Sequence, residues 1–281
     1  MRVLITGAQG QLGRELQLAL SAHELILADV PQFDLLGPDV ERFIATAAPH
    51  VVVHAAAYTD VDGAEREPEK ALAVNAEGTA RVAAATEAAG ARLLYISTDY
   101  VFDGTKRTPY LETDKPNPRG AYARSKREGE RRALALCRNT LVLRTAWLYG
   151  LHGKNFVGTI MRLAGERPEL RVVSDQRGCP TFAADLAEAI AKILKTTVRG
   201  IGHAAGSGDC SWHEFACEIV ASMGKAVPVH PISTEEAGRP APRPAYGVLA
   251  NTVLAREGIV LPHWKEALSR YMTTALAAAR H

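Results

Sequence analysis

The opening stretch "RVLITGAQGQLG" constrains the fold more than any other part of the chain. Its five-residue apolar-leaning run leads into Gly7, Gly10 and Gly13, and Leu12, Leu16 and Leu20 then recur at helical spacing. A buried strand, a tight glycine turn and an amphipathic helix in that order make the first unit of a βαβ fold. Glycines at such a turn let the chain reverse sharply, let the backbone approach a pyrophosphate, and let the helix pack close to the sheet. The helix start adds free N–H groups and partial positive charge. The spacing is G-x-x-G-x-x-G, not G-x-G-x-x-G, so the dinucleotide reading rests on the strand before and the helix after.

The same rhythm continues. "ELILAD" reads as a strand, residues 39–47 as a helix, "HVVVHAAA" as a strand and "EPEKALAVNAEGTARVAAATEAAG" as one long helix. "ARLLYIS" and "TLVLRT" read as strands on either side of a helix in "RGAYARSKREGERRALAL". This alternation predicts the α/β class: a doubly wound, Rossmann-like parallel sheet with ligands at the carboxyl ends of its strands. Later the pattern loosens into the helices "KNFVGTIMRLAGE", "FAADLAEAIAKILK" and "SWHEFACEIVASMG" and a proline-rich loop, "GRPAPRPAYG". The predicted division is a dinucleotide-binding domain over 1–150, with about 182–210 returning to it, and a smaller substrate-binding lobe over 151–281.

Composition excludes several classes. The chain has 281 residues, 47% of them hydrophobic, which suits a soluble globular protein. A net charge of +2 with no Lys/Arg block argues against nucleic acid as a partner. No stretch approaches a membrane span, and the first apolar run is too short for a secretion signal, which places the chain in the cytoplasm. Cys137, Cys179, Cys210 and Cys217 form no C-x-x-C pair and no metal-ligand spacing, so they read as buried free thiols, with no metal site.

Four segments carry the chemistry. Asp29 ends the second strand, where a carboxylate can accept from adenosine ribose hydroxyls. That favours NADH over NADPH, since the following "VPQF" offers no arginine. "ISTDYVFDG" puts Thr98 at the end of the fourth strand, and Tyr122 and Lys126 lie four apart on one helix face. Together they outline a carbonyl reduction, with Tyr122 as proton donor, Thr98 bonding the oxygen, and Lys126 holding the cofactor ribose and favouring the phenolate. Poising a phenol of pKa ~10 near ~7 takes about 4 kcal/mol. An ammonium ~5 Å away at an effective dielectric of ~20 supplies roughly 3 kcal/mol.

Gly7-x-x-Gly10-x-x-Gly13 with Thr98 and Tyr122-x-x-x-Lys126 resembles the extended short-chain dehydrogenase/reductases, which act mostly on nucleotide sugars. "STDYVFDGT", "YARSKREGE", "RTAWLYG", "KNFVGTIMRLA", "SDQRGCPT" and "SWHEFA" are similar, in order along most of the chain, to the dTDP-4-dehydrorhamnose reductase family. That resemblance implies NADPH- or NADH-dependent reduction of a 4-keto nucleotide sugar. It places Gly10, Gln11 and Leu12 at the pyrophosphate, Asp29 at the ribose, and Asp34 and Leu35 at the adenine. Ala57, Tyr58 and Thr59 fall near the nicotinamide half, and Asp99 and Trp147 at the deoxysugar or its nucleotide. Asn155, which opens a helix, would cap it or face the substrate diphosphate. Some family members form magnesium-bridged dimers through glutamates. Glu15 matches one such position, but Ala184 stands where another acid belongs, so Glu15 reads as a solvated helix residue and the chain as a monomer or homodimer.

Two other readings stay open: an epimerase of the same superfamily, and a nucleotide-binding regulatory subunit without turnover. A dehydratase is disfavoured, because Thr98 is followed by one acid, Asp99, and then by Tyr100. Arg239 and Arg243 read as solvated loop arginines, His54 as a strand-end residue satisfying backbone groups, and Asn75 as a brace beside the site.

Overall fold

A computed structural model of the chain describes residues 1–278; the last three residues of the predicted lobe, 279–281, lie outside the described residues. The first half runs β1 (Arg2–Thr6), α1 (Gln11–Ala19), β2 (Glu24–Ala28), α2 (Val40–Ala47), β3 (Val51–His54), α3 (Val61–Arg66) and α4 (Pro68–Leu72). A π-helical turn, Ala73–Gly78, then leads into α5 (Thr79–Ala88), β4 (Arg92–Thr98), α6 (Ala121–Leu136) and β5 (Thr140–Thr145). The second half contains β6 (Leu148–Tyr149), α7 (Phe156–Glu166), β7 (Leu170–Val173), β8 (Arg177–Gly178), β9 (Thr181–Phe182), α8 (Ala183–Ile193) and β10 (Gly200–His203). It ends with β11 (Cys210–Ser211), α9 (Trp212–Ser222), β12 (Val229–Ile232), α10 (Thr234–Ala237), α11 (Thr252–Arg256) and α12 (Trp264–Ala278).

The main sheet has six parallel strands in the order β10-β5-β4-β3-β1-β2. Its strands are apolar on both faces because both faces are covered. Val3, Ile5, Val51, Val53, Leu141 and Leu143 point toward α1 and α8. Leu4, Val52, Leu93, Tyr95 and Val142 point the other way, toward α2, α5 and α6. This alternation is the period of two that a pleated strand imposes. The order reverses at β1, between β2 and β3, which opens a crevice at the carboxyl ends of β1 and β3.

A second core lies beyond the sheet, where Tyr149, Val157, Phe215, Ile219, Trp264 and Leu268 bring together segments from β6 to α12. Not every late segment joins it. Helix α8 packs along α1, and Leu254, Ile259 and Leu261 around α11 sit in the same core as Val3 and Ile5.

The long helix predicted over 67–90 runs without a break from α4 through the π turn into α5, and departs from the expectation only in the wider winding of Ala73–Gly78. Gly78 marks the departure: a Cβ there would stand 2.9 Å from the Cβ of Leu35. All four cysteines are free thiols; Cys137, Cys179 and Cys210 are buried and Cys217 is half-buried. Among the described residues, no helix is long and apolar enough to cross a membrane.

Candidate active site

A cleft of about 980 Å³ runs along the carboxyl ends of β1, β3 and β4 and reaches the lobe at Trp147 and Trp212. Its floor is the glycine turn: Gly7, Gly10, Gln11, Leu12 and Gly13 all line it. Gly7 has φ +69, and a Cβ on it would stand 2.7 Å from the Ala56 nitrogen. At Gly13 a Cβ would stand only 2.1 Å from the Gly7 carbonyl oxygen. Both glycines are therefore required for β1, its turn and α1 to approach so closely. Asp29, Asp34 and Leu35 line one end of the cleft, and Ala57 and Thr59 its wall. A cradle of this size and composition fits a nicotinamide dinucleotide.

Thr98, Asp99, Tyr122, Lys126 and Trp147 line the other end. Helix α6 brings its pair there because its start is fixed. Gly120 adopts φ +83, and the Ala121 N–H donates to the Glu65 carboxylate at 2.6 Å. That places a negative charge at the positive end of the helix. One turn on, the Lys126 Nζ donates to the Ile96 carbonyl of β4 at 2.7 Å and lies 4.3 Å from the centre of the Tyr95 ring. The Thr98 hydroxyl donates to Asp99 Oδ1 at 3.1 Å and accepts from the Tyr100 N–H at 3.2 Å.

The electrostatics differ from the simple ammonium–phenol picture. Burial pulls Lys126 down to about 7, against the pull of Glu130. Burial pushes the Tyr122 phenol up, opposed by the neighbouring Thr98 hydroxyl. Lys126 is therefore not the fully charged ammonium the sequence argument assumed, and in this environment the phenol holds its proton. Asp99 is also raised, to about 7, by burial, with Thr98 opposing. A Cβ on Gly247 would stand 2.5 Å from Asp99 Oδ2, so only glycine leaves that carboxyl its place.

Tyr58 and Asn155 do not line the cleft. The Tyr58 backbone is clasped by Asn75, which accepts from its N–H at 2.8 Å and donates to its carbonyl at 3.0 Å. Asn75 also donates to the Ser125 hydroxyl at 2.9 Å, bracing the wall against α6. Asn155 caps α7 by accepting from the Gly158 N–H at 3.0 Å, and its Nδ2 donates to Gln11 Oε1 at 3.1 Å and to the Gly150 carbonyl at 2.7 Å. Its amide ties the lobe to the glycine turn and leaves none of its groups directed at the cleft.

Three further readings change. Glu15 is buried, not solvated, with Oε1 unpartnered, and burial raises its carboxyl despite nearby His152. Ala184 supplies no ligand, and among the described residues no group of three His, Cys, Asp or Glu could hold a metal ion. Arg243 is not a solvated arginine either. It grips Asp62 with two N–H groups at 2.9 and 3.1 Å, whereas Arg239 stays exposed 3.7 Å from the same carboxylate. His54 meets the Thr6 and Thr79 hydroxyls, at 2.6 and 3.1 Å, rather than backbone groups, and burial lowers it to about 3.

Two aromatic residues escaped the sequence reading. Tyr100 sets its ring edge-on to Tyr122 at 5.6 Å. Trp212 stacks flat on Trp147, 3.4 Å between centroids and 4° between planes. Trp147 itself sits at φ +46, a left-handed conformation rare for a bulky side chain. The "SWHEFA" run was visible, but nothing in it pointed Trp212 across 65 residues of chain to Trp147.

A doubly wound sheet, a glycine-lined dinucleotide cleft and a Tyr-x-x-x-Lys helix beside a strand-end threonine define the short-chain dehydrogenase/reductase class. Within that class the comparisons are specific. The family model described as the RmlD substrate binding domain matches residues 1–277. The dTDP-4-dehydrorhamnose reductase of Mycobacterium tuberculosis (strain CDC 1551 / Oshkosh) is 44% identical over 99% of this chain and 93% of its own. A spore coat polysaccharide biosynthesis protein of Bacillus subtilis is 41% identical over 96% of both chains. A crystal structure of the Bacillus anthracis dTDP-4-dehydrorhamnose reductase in complex with NADP superposes with a TM-score of 0.95 at 41% identity, covering 97% of this chain and 99% of that one. The chain belongs to the dTDP-4-dehydrorhamnose reductase family.

Proposed function

We propose that the protein reduces the 4-keto group of dTDP-4-dehydro-L-rhamnose, using NADPH or NADH, to give dTDP-L-rhamnose. The observation that carries this reading is the meeting of Thr98, Tyr122 and Lys126 at the end of the cleft that begins at the glycine turn. When bound, the dinucleotide supplies the hydride.

The chain's own groups supply the rest. Tyr122, which keeps its proton in this environment, donates it to the carbonyl oxygen as negative charge develops there. The Thr98 hydroxyl turns from Asp99 to the same oxygen, and Asp99, poised near neutrality, takes a hydroxyl of the sugar. Lys126, anchored on the Ile96 carbonyl, holds the cofactor ribose, and its ammonium form stabilises the phenolate that forms beside it. Trp147, backed by Trp212, offers a flat apolar wall to the deoxysugar or its base. The first domain, to which the segment 182–210 returns, holds the dinucleotide, and the lobe holds the sugar nucleotide. The protein would act in the cytoplasm as a monomer or homodimer.

The test follows the loss of reduced-nicotinamide absorbance with dTDP-4-dehydro-L-rhamnose made in situ. Wild type is expected to consume cofactor in proportion to substrate, and Tyr122→Phe to bind cofactor but turn over at least about 10²-fold more slowly. Sugar conversion without net cofactor loss would make the protein an epimerase. Cofactor binding with no turnover would make it a regulatory subunit.

A further inference from the structure

The geometry points to Arg14 as the residue that accepts the 2′-phosphate of NADPH, so that cofactor choice is made from α1 and not from the loop after β2. This deepens the reductase reading and rests on it. Both oxygens of Asp29 are already engaged by the backbone: Oδ2 accepts from the Gln9 N–H at 2.7 Å and Oδ1 from the Val30 N–H at 2.8 Å. Its negative charge is thus shared with two N–H groups at the edge of the cleft, which softens its repulsion of a phosphate.

Arg14, just outside the residues that line the cleft, is tied to that edge through Gln9. It lies in the first turn of α1 and folds back, its Nε donating to the Gln9 carbonyl at 3.2 Å and its Nη2 to Gln9 Oε1 at 3.1 Å. Gln9, which lines the cleft, therefore holds a carboxylate through its N–H and a guanidinium through its carbonyl and side chain. A ribose seated on Asp29 presents its 2′-oxygen beside that residue. Among the described residues no carboxylate lies within salt-bridge distance of Arg14, and the guanidinium keeps N–H groups beyond the two given to Gln9. No competing cation stands in the loop, where Val30, Pro31 and Gln32 are uncharged. Arg81, the cation nearest the far end through Leu35, is committed to Glu41 and to the Leu35 and Gly37 carbonyls.

The test is calorimetric binding of 2′,5′-ADP, 5′-ADP, NADPH and NADH to the full chain and to Arg14→Ala. Arg14 is exposed, so the variant is expected to fold, and circular dichroism checks this. Wild type should bind 2′,5′-ADP more tightly than 5′-ADP. The variant should lose about ten- to a hundredfold in affinity for the two phosphorylated ligands, the scale of a charged hydrogen bond, with 5′-ADP and NADH held within about twofold. Arg14→Lys should fall between, because it keeps the charge without the fork. Equal losses on all four ligands, no loss, or no wild-type preference for 2′,5′-ADP would overturn the assignment while leaving the reductase reading intact. Failure of wild type to bind either NADPH or NADH would instead sink the reductase reading itself, and this assignment with it.

Discussion

Tyr122 and Lys126 stand one helical turn apart, and burial drives their proton affinities apart, the phenol up and the amine down to about 7. Burial thus keeps the phenol protonated and leaves the amine close to its titration point near neutral pH, which suits a step in which charge develops and then disappears. Asp99 gives the same principle a measurable sign. Its folded pKa of about 7 lies above the ordinary carboxyl value, so the folded state binds the extra proton between about 4 and 7. Stability from this group is then present at low pH and is lost as pH rises through that window. Asp99→Asn lacks the buried charge and should not show the loss. Its melting temperature relative to wild type is expected to climb from pH ~4 to ~7 and then level off. A constant difference across the range would show that Asp99 titrates normally.

Helix α6 does more than carry the pair. Glu130, two turns beyond Tyr122, is fully buried and accepts from Ser97 of β4 at 2.7 Å and, through both oxygens, from Arg144 of β5 at 2.8 Å. Ser97 and Arg144 lie opposite each other in the β4–β5 register, immediately before Thr98 and Thr145. One carboxylate thus joins the helix that carries Tyr122 and Lys126 to both strands beneath it. Glu130→Ala is expected to cost about 3–5 kcal/mol in urea unfolding, because it strands the Arg144 charge in the core. Removing both charges in Glu130→Leu/Arg144→Met should recover a large part of that loss. At this scale the sequence was readable where chemistry and period coincide. "RVLIT", "LLYIS" and "TLVLR" are continuous apolar runs, and they became the strands that aim the site. β10, "GIGH", carries two glycines and no such run, yet it completes the sheet beside β5. The two-residue strands β6, β8, β9 and β11 are too short to show any period.

Across the whole molecule, the proline-rich segment after α10 acts as a strap. Arg243 and the Ala241 N–H hold Asp62 of α3, while Ala245 and Gly247 bond the backbone of Arg177. The segment therefore runs from the cofactor wall to the lobe, passing Asp99 at Gly247. With side chains only 18% and 20% exposed, the Arg243–Asp62 pair is partly shielded from water. Arg243→Ala should speed amide hydrogen exchange over residues 239–247 by about tenfold or more, on the scale of one charged hydrogen bond, and leave exchange in β1 and β3 unchanged. Spacing alone leaves these arginines in a solvated loop, because Asp62 is 181 residues away from Arg243 along the chain. Local spacing could place Tyr122 over Lys126; it could not show a contact that only the closed fold creates.

The π turn at Ala73–Gly78 sets one more condition. Its wider winding holds an extra residue, and Asn75 within it clasps Tyr58 and Ser125 while Thr79, just after it, accepts or donates at His54. Deleting one residue there would remove the extra residue and pull Asn75 out of the place from which it clasps Tyr58 and Ser125. The width of this turn is therefore what sets Asn75 between the cleft wall and α6, and a deletion at 73–78 would loosen that wall, which Val74 itself lines.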